Sequence, residues 1–176
     1  MSSDMKGKRV VITGPTSGVG RETALQLAEL GAEVILACRD LQKGGQLSGE
    51  IESRTGQKAV VMMIDTSSQE SIRECAQEFR EEYDRLDVLI NNAAVSRGKL
   101  PRIRSVDGIE LTFATNVLGY FLLTQELLDL IKKSAPADEL LVQAAKEGMT
   151  TLKQDGIVKV FKGMTDISEV RRVCVT

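Results

Sequence analysis

The run Thr13-Gly14-Pro15-Thr16-Ser17-Gly18-Val19-Gly20 leaves a β-branched stretch and passes straight into an amphipathic one. Glycines at these spacings permit a tight turn, let backbone approach a pyrophosphate and let a helix pack on the preceding strand, while the helix's first amides point at the anion. The chemistry so implied is dinucleotide binding by Gly14, Gly18 and Gly20, with Thr16, Ser17 and Val19 between them. A second group stands after the next apolar run. There, NAD-binding proteins place a carboxylate for the ribose hydroxyls, whereas this chain has Cys38 followed by Arg39. A guanidinium forks onto a 2′-phosphate that a carboxylate would repel, so NADP(H) is the expected cofactor over NAD(H). The plainer reading of Arg39 is a solvated arginine paired with Asp40.

Composition narrows the remaining chemistry. With no histidine among 176 residues, the usual general base, zinc ligand and pH switch are missing, and hydrolytic triads are not expected. Three cysteines (Cys38, Cys75 and Cys174) are widely separated and in no ligand-pair spacing, so neither a metal site nor a disulfide framework is expected. A net charge of -2 provides no broad basic field for nucleic acid or anionic lipid. The start, MSSDMKGKRVVITG, has no apolar stretch of signal length, and no later run approaches the ~20 residues a bilayer helix needs. A cytoplasmic protein without a membrane partner is expected.

The elements that must position these residues follow from periodicity. Apolar, β-branched runs at residues 9–13, 33–37, 59–64 and 88–90 alternate with helical spacing at 20–30, 45–55, 68–83 and 106–133. Mostly apolar strands are those covered by helices on both faces, and right-handed crossovers then wind the chain twice about the sheet. The predicted fold is therefore α/β: a doubly wound, Rossmann-like parallel sheet of about four strands, occupying residues 1–137 as a dinucleotide-binding half-domain.

Three motifs in order give the chain a specific likeness: TGxxxGxG at residues 13–20, NNAA at 91–94 and Asn116 in a long helix. They resemble the NADP-binding half of the short-chain dehydrogenase/reductase family. ACRD at 37–40 and DGIELTFATNVLGYFLLT at 107–124 place the likeness, from residue 6 to about 137, nearest the retinol-dehydrogenase-like branch. The resemblance implies that Asp65, with Thr66 beside it, meets the adenine end. It also implies that Asn91 and Ala93 line the cofactor, and that Asn116 is the catalytic asparagine holding a water in the proton relay. As residues in their own right, Asp65 reads equally as a strand-end turn residue and Asn91 as an amide satisfying the sheet.

After residue 137 the family pattern stops. The expected catalytic serine and Tyr-x-x-x-Lys do not follow, and the tyrosines of the chain are Tyr83 and Tyr120. Tyr120 lies one turn after Asn116, but the residue four later is Thr124, so no lysine lowers its pKa, and it reads as an aromatic packed in a helix face. The segment 138–176 instead resembles the C-terminal segment of type II secretion and type IV pilus assembly ATPases, through GMTTL, DGIVKVFKGMT and EVRRV. It holds no Gly-Lys-Ser/Thr loop, so ATPase activity is not implied. Helices are predicted over 138–146, 149–162 and 167–173, capped by Asp138 and Asp166, although residues 157–161 taken alone also read as a strand.

The whole reads as a chimera, a half-domain with a helical appendage packed on it. Its expected function is NADP(H) binding without complete hydride-transfer catalysis. An active NADP-dependent carbonyl or retinol-type oxidoreductase, and a recombined chimera with no ligand, are the alternatives. The appendage, or a homodimer through the fourth-strand edge or the 106–133 helix, is expected to cover the surface left open.

Overall fold

The computed structural model describes residues 5–96, 103–134, 152–162, 164 and 166–169. In chain order the elements are β1 (Arg9–Thr13), α1 (Gly18–Glu29), β2 (Glu33–Cys38), α2 (Leu41–Thr55), β3 (Val60–Met63), α3 (Gln69–Glu82) and β4 (Val88–Ile90). They are followed by α4 (Leu111–Phe113), a π-helical turn (Ala114–Leu118), α5 (Gly119–Ser134) and α6 (Leu152–Phe161). All strand pairings are parallel and the sheet order is β3-β2-β1-β4, the doubly wound α/β arrangement expected from the sequence.

Alternation along the strands divides the core in two. Val11, Ile35, Ala37, Met62 and Ile64 meet Ile72, Ala76 and Phe79 of α3 and Leu123, Leu127 and Leu130 of α5. Val10, Ile12, Val34 and Leu36 point the other way, onto Ala24, Leu25 and Ala28 of α1 and Leu47 and Ile51 of α2. Both faces of β1 and β2 are thus buried, and for this reason those strands read as unbroken apolar runs.

Two helix starts differ from the sequence reading, each because of a capping carboxylate. Helix α2 begins at Leu41 rather than at residue 45, with Asp40 Oδ1 accepting the Lys43 N–H at 3.0 Å. The long helix expected from residue 106 begins at Leu111. Gly108 sits at φ +76°, Arg104 bridges Glu110, and the Glu110 carboxylate accepts from the N–H groups of Thr112 (3.0 Å) and Phe113 (2.8 Å). Residues 106–110 are therefore a turn, because a satisfied N-terminus starts the helix after the cap.

The chain divides into two compact units, residues 1–134 and 135–176. In the second, residues 157–161 are helical within α6, which overturns the strand alternative; Asp155 and Lys159 pair at 2.7 Å one turn apart. Asp166 Oδ1 accepts from the N–H groups of Ser168 (2.8 Å) and Glu169 (3.0 Å), the cap expected there. The helix expected over 138–146 and its Asp138 cap lie outside the described residues. No helix among the described residues is long and apolar enough to cross a membrane.

Candidate functional site

The β1–α1 turn is the floor of a cleft of about 1060 Å³ in the first unit. Gly14 and Gly18 have φ of +63° and +55°, conformations that side chains with a Cβ resist. At Gly20 the constraint is space: a Cβ would meet Asn92 Nδ2, and Gly14 O at 2.6 Å. Helix α1 starts at Gly18 behind Ser17, whose side chain makes no capping bond, and its first turn holds no acidic residue. By contrast, α2 and α3 are capped by Asp40 and Ser68. The first amides of α1 therefore open into the cleft without a side-chain acceptor, the arrangement that suits an anion.

Behind the turn, Thr13 joins β1 to the loop after β4. Its Oγ1 accepts from the N–H groups of Asn92 and Ala93, both at 3.0 Å, and the Asn92 Nδ2 donates to Thr13 O (2.9 Å) and Gly14 O (3.0 Å). Asn92, which the sequence reading passed over for its neighbours, is the residue that ties this loop to the glycine turn. Its signal was its place inside NNAA. Asn91, in contrast, turns to Thr124 Oγ1 at 3.2 Å and is not among the residues lining the cleft; Ala93 is.

At the far end of the cleft stand Arg39, Asp40 and Lys43. Arg39 is exposed and has no ion pair among the described residues. Asp40 does not pair with it. The Lys43 backbone N–H holds the Asp40 carboxyl below its usual range, and Asp40 Oδ2 lies 3.4 Å from Lys43 Nζ. Cys38, beneath them, is buried, and burial, with the Asp40 charge behind it, raises its thiol pKa. Asp65 and Thr66 line the same cleft, and Asp65 Oδ1 is also a turn acceptor for the Ser67 N–H (2.9 Å) and hydroxyl (2.7 Å). Of the residues singled out from the sequence, Gly14, Thr16, Ser17, Val19, Gly20, Arg39, Asp65, Thr66 and Ala93 meet at this cleft. Gly18 shapes its turn, while Asn91 and Asn116 are not among the residues lining it.

Asn116 lies in the π-helical turn. Its Oδ1 accepts the Val95 N–H and its Nδ2 donates to Val95 O, both at 2.9 Å, so both ends of the amide are held by one residue of the cleft wall. The Tyr120 hydroxyl is fully buried with no hydrogen-bond partner among the described residues. Burial raises its pKa, and the nearby Thr13 side chain offsets only part of that rise. It is not among the residues lining the cleft. Deleting an unpartnered buried hydroxyl removes a desolvation cost. Tyr120→Phe is therefore expected to leave the melting temperature unchanged or raised, and a thermal melt showing a clear drop would reveal a hydrogen bond this geometry lacks.

A parallel sheet in this order, a glycine turn beneath an uncapped helix and the Thr13–Asn92 tie define a dinucleotide-binding type of α/β protein. Residues 8–149 match the short chain dehydrogenase family, and the chain belongs to it. That match corrects the boundary expected at residue 137: it runs on to residue 149 and takes in the first part of the segment that resembles the secretion ATPases. Human retinol dehydrogenase 11 is 46% identical over 134 residues, covering 76% of this chain and 42% of its own. Retinol dehydrogenase 13 of Mus musculus is 46% identical over 132 residues, 74% of this chain and 39% of its own. The chain thus spans less than half the length of these relatives. Among solved structures, the RhlG/NADP active-site complex from Pseudomonas aeruginosa has a TM-score of 0.67 at 32% identity, covering 77% of this chain and 52% of that one. The oxidoreductase yciK from E. coli has a TM-score of 0.65 at 30% identity, with 77% and 57% covered.

Proposed function

We propose that this chain binds NADP(H) through the adenosine diphosphate end and does not by itself complete hydride transfer. The observation that carries the reading is the uncapped N-terminus of α1, opening beneath the Gly14–Gly20 approach into the cleft that Arg39, Asp65 and Thr66 also line. A pyrophosphate supplies the acceptors those amides lack. Arg39, unpaired by Asp40, is placed for the 2′-phosphate, and the relative solved with NADP supports that choice of dinucleotide.

Arg39→Ala should weaken NADPH by about tenfold or more, the worth of one charge-assisted hydrogen bond, and leave NADH nearly unchanged. Fluorescence titration of both cofactors tests this. Equal binding of both, before and after the substitution, would remove the case for Arg39.

Hydride transfer to or from a carbonyl needs a positioned acid for the charge on oxygen. The Tyr120 hydroxyl is buried and does not line the cleft, and Asn116 is committed to Val95, so neither is free to supply it there. We accordingly read the chain as inactive toward retinoids and other carbonyl compounds, against the oxidoreductase activity its relatives' names carry. NADPH consumption with an aldehyde or retinal above the no-protein rate, abolished in Tyr120→Phe, would overturn this. The active retinol-type reading then takes its place.

The cytoplasm is supported by free, buried Cys38 and Cys75, whose separation on β2 and α3 suits a reducing compartment. Homodimerisation is supported by β4, which pairs only with β1 among the described strands, and by Phe113, Val117 and Phe121, which stay exposed at helical spacing. The chimera is supported by DGIVKVFKGMT alone, which lies beyond the end of the family match at residue 149, whereas GMTTL, beginning at Gly148, overlaps that match.

A further inference from the structure

Resting on the NADP(H) reading above, we infer that Asp40 is a counter-ion built into the site: it holds Lys43 and yields it to the 2′-phosphate, so cofactor preference reflects competition between a carboxylate and a phosphate for one ammonium. Arg39, Asp40 and Lys43 line the same end of the cleft. Arg39 has no ion pair among the described residues, whereas Lys43 Nζ lies 3.4 Å from Asp40 Oδ2. Lys43 is thus a second cation at this end, already provided with an anion.

The Asp40–Lys43 pair is easily exchanged. Its side chains are 45% and 65% exposed, and a pair that open to water contributes little. A phosphate carries nearly two charges and three acceptor oxygens, so it is the stronger partner for an ammonium. Asp40 stays charged after Lys43 leaves, because its Oδ1 still accepts the Lys43 backbone N–H at 3.0 Å and that bond holds its carboxyl ionised. The carboxylate then remains beside the incoming phosphate and opposes it. Arg39 and Lys43 therefore draw the 2′-phosphate in, and Asp40 works against both.

Charge and capping can be separated at this position. Asparagine caps a helix about as well as aspartate, so Asp40→Asn removes the charge while α2 keeps its N-terminus. Lys43→Gln removes the ammonium and leaves the backbone N–H that meets Asp40. The two substitutions should act in opposite directions. At low salt, Lys43→Gln should weaken NADPH about tenfold and Asp40→Asn should tighten it about threefold, with NADH changed less than about twofold by either. Lys43→Gln should also cost more in the Asp40→Asn background than alone, because the ammonium is then free for phosphate. Raising the salt should shrink every one of these differences.

The experiment is NADPH and NADH titration of the full chain and the three variants at two ionic strengths, each checked by thermal melting. Opposite shifts confined to NADPH, with melting temperatures retained, support the inference. Weaker NADPH binding in a fully folded Asp40→Asn protein overturns it, since Asp40 would then be a ligand and not a competitor. Unchanged NADPH binding in both single variants overturns it too, while the preference for NADPH over NADH, kept by the parent chain, leaves the broader reading standing. A parent chain that binds neither dinucleotide defeats both together.

Discussion

Gly119→Ala is expected to destabilise the protein by about 2–4 kcal/mol, lowering the melting temperature by roughly 5–15 °C. Gly119 is the first residue of α5, directly after the π-helical turn, and is buried against the loop that joins β3 to α3. A Cβ there would run into Thr66 O, with Thr66 C at 3.0 Å and Ala114 O at 3.1 Å. All three are backbone atoms, so no side chain can rotate away and the helix or the loop must move. Thr66 lines the cleft and α5 supplies Leu123, Leu127 and Leu130 to the core, so the shift reaches both. The same added methyl at Gly45, on the exposed face of α2, meets nothing within 4 Å. There it should stabilise by about 0.5–1 kcal/mol, since a helical glycine costs backbone entropy that alanine does not. Differential scanning calorimetry of the two variants tests the pair, and a Gly119→Ala protein melting with the parent would show that α5 does not press on Thr66.

The sequence disclosed the elements whose residues all face one requirement. Strands β1 and β2 are buried on both sides, so their apolar runs marked them almost to the residue. Helix starts were less legible wherever the cap was an acidic residue in an otherwise polar stretch. Apolar spacing marks α2 only from residue 45, whereas the Asp40 cap starts it at Leu41 and so brings Lys43 into the helix. Glu110 similarly hid inside an apparent apolar stripe until its carboxylate met the N–H groups of Thr112 and Phe113. Asn92 differs again. Nothing in its spacing distinguishes it from Asn91; only the approach of the β1–α1 turn to the loop after β4 gives one amide to Thr13 and Gly14 and the other to Thr124. The burial of the Tyr120 hydroxyl was not legible, because it required α5 to be placed against the end of β1.

Gly20→Ala is expected to abolish measurable dinucleotide binding, a loss on the order of a hundredfold or more, corresponding to about 3 kcal/mol. The methyl would strike Asn92 Nδ2 and stand 2.6 Å from Gly14 O. The Asn92 amide cannot retreat without giving up its bonds to Thr13 O and Gly14 O, and Gly14 is itself held with Ala93 Cα 2.8 Å from where its own Cβ would stand. The yielding element is then α1, whose N-terminus moves off β1 and carries its amides away from the phosphate position. Gly18 provides the contrast, since its φ is +55° and nothing lies within 4 Å of its missing Cβ. Its requirement is conformational, and asparagine, which tolerates that region, should retain most of the affinity in Gly18→Asn. NADPH titration beside circular dichroism melts separates lost binding from lost folding. If Gly20→Ala is folded and binds NADPH as the parent does, the glycine turn is not the phosphate-binding element. If Gly18→Asn and Gly20→Ala lose affinity equally, the close packing of α1 on Asn92 is not what positions its amides.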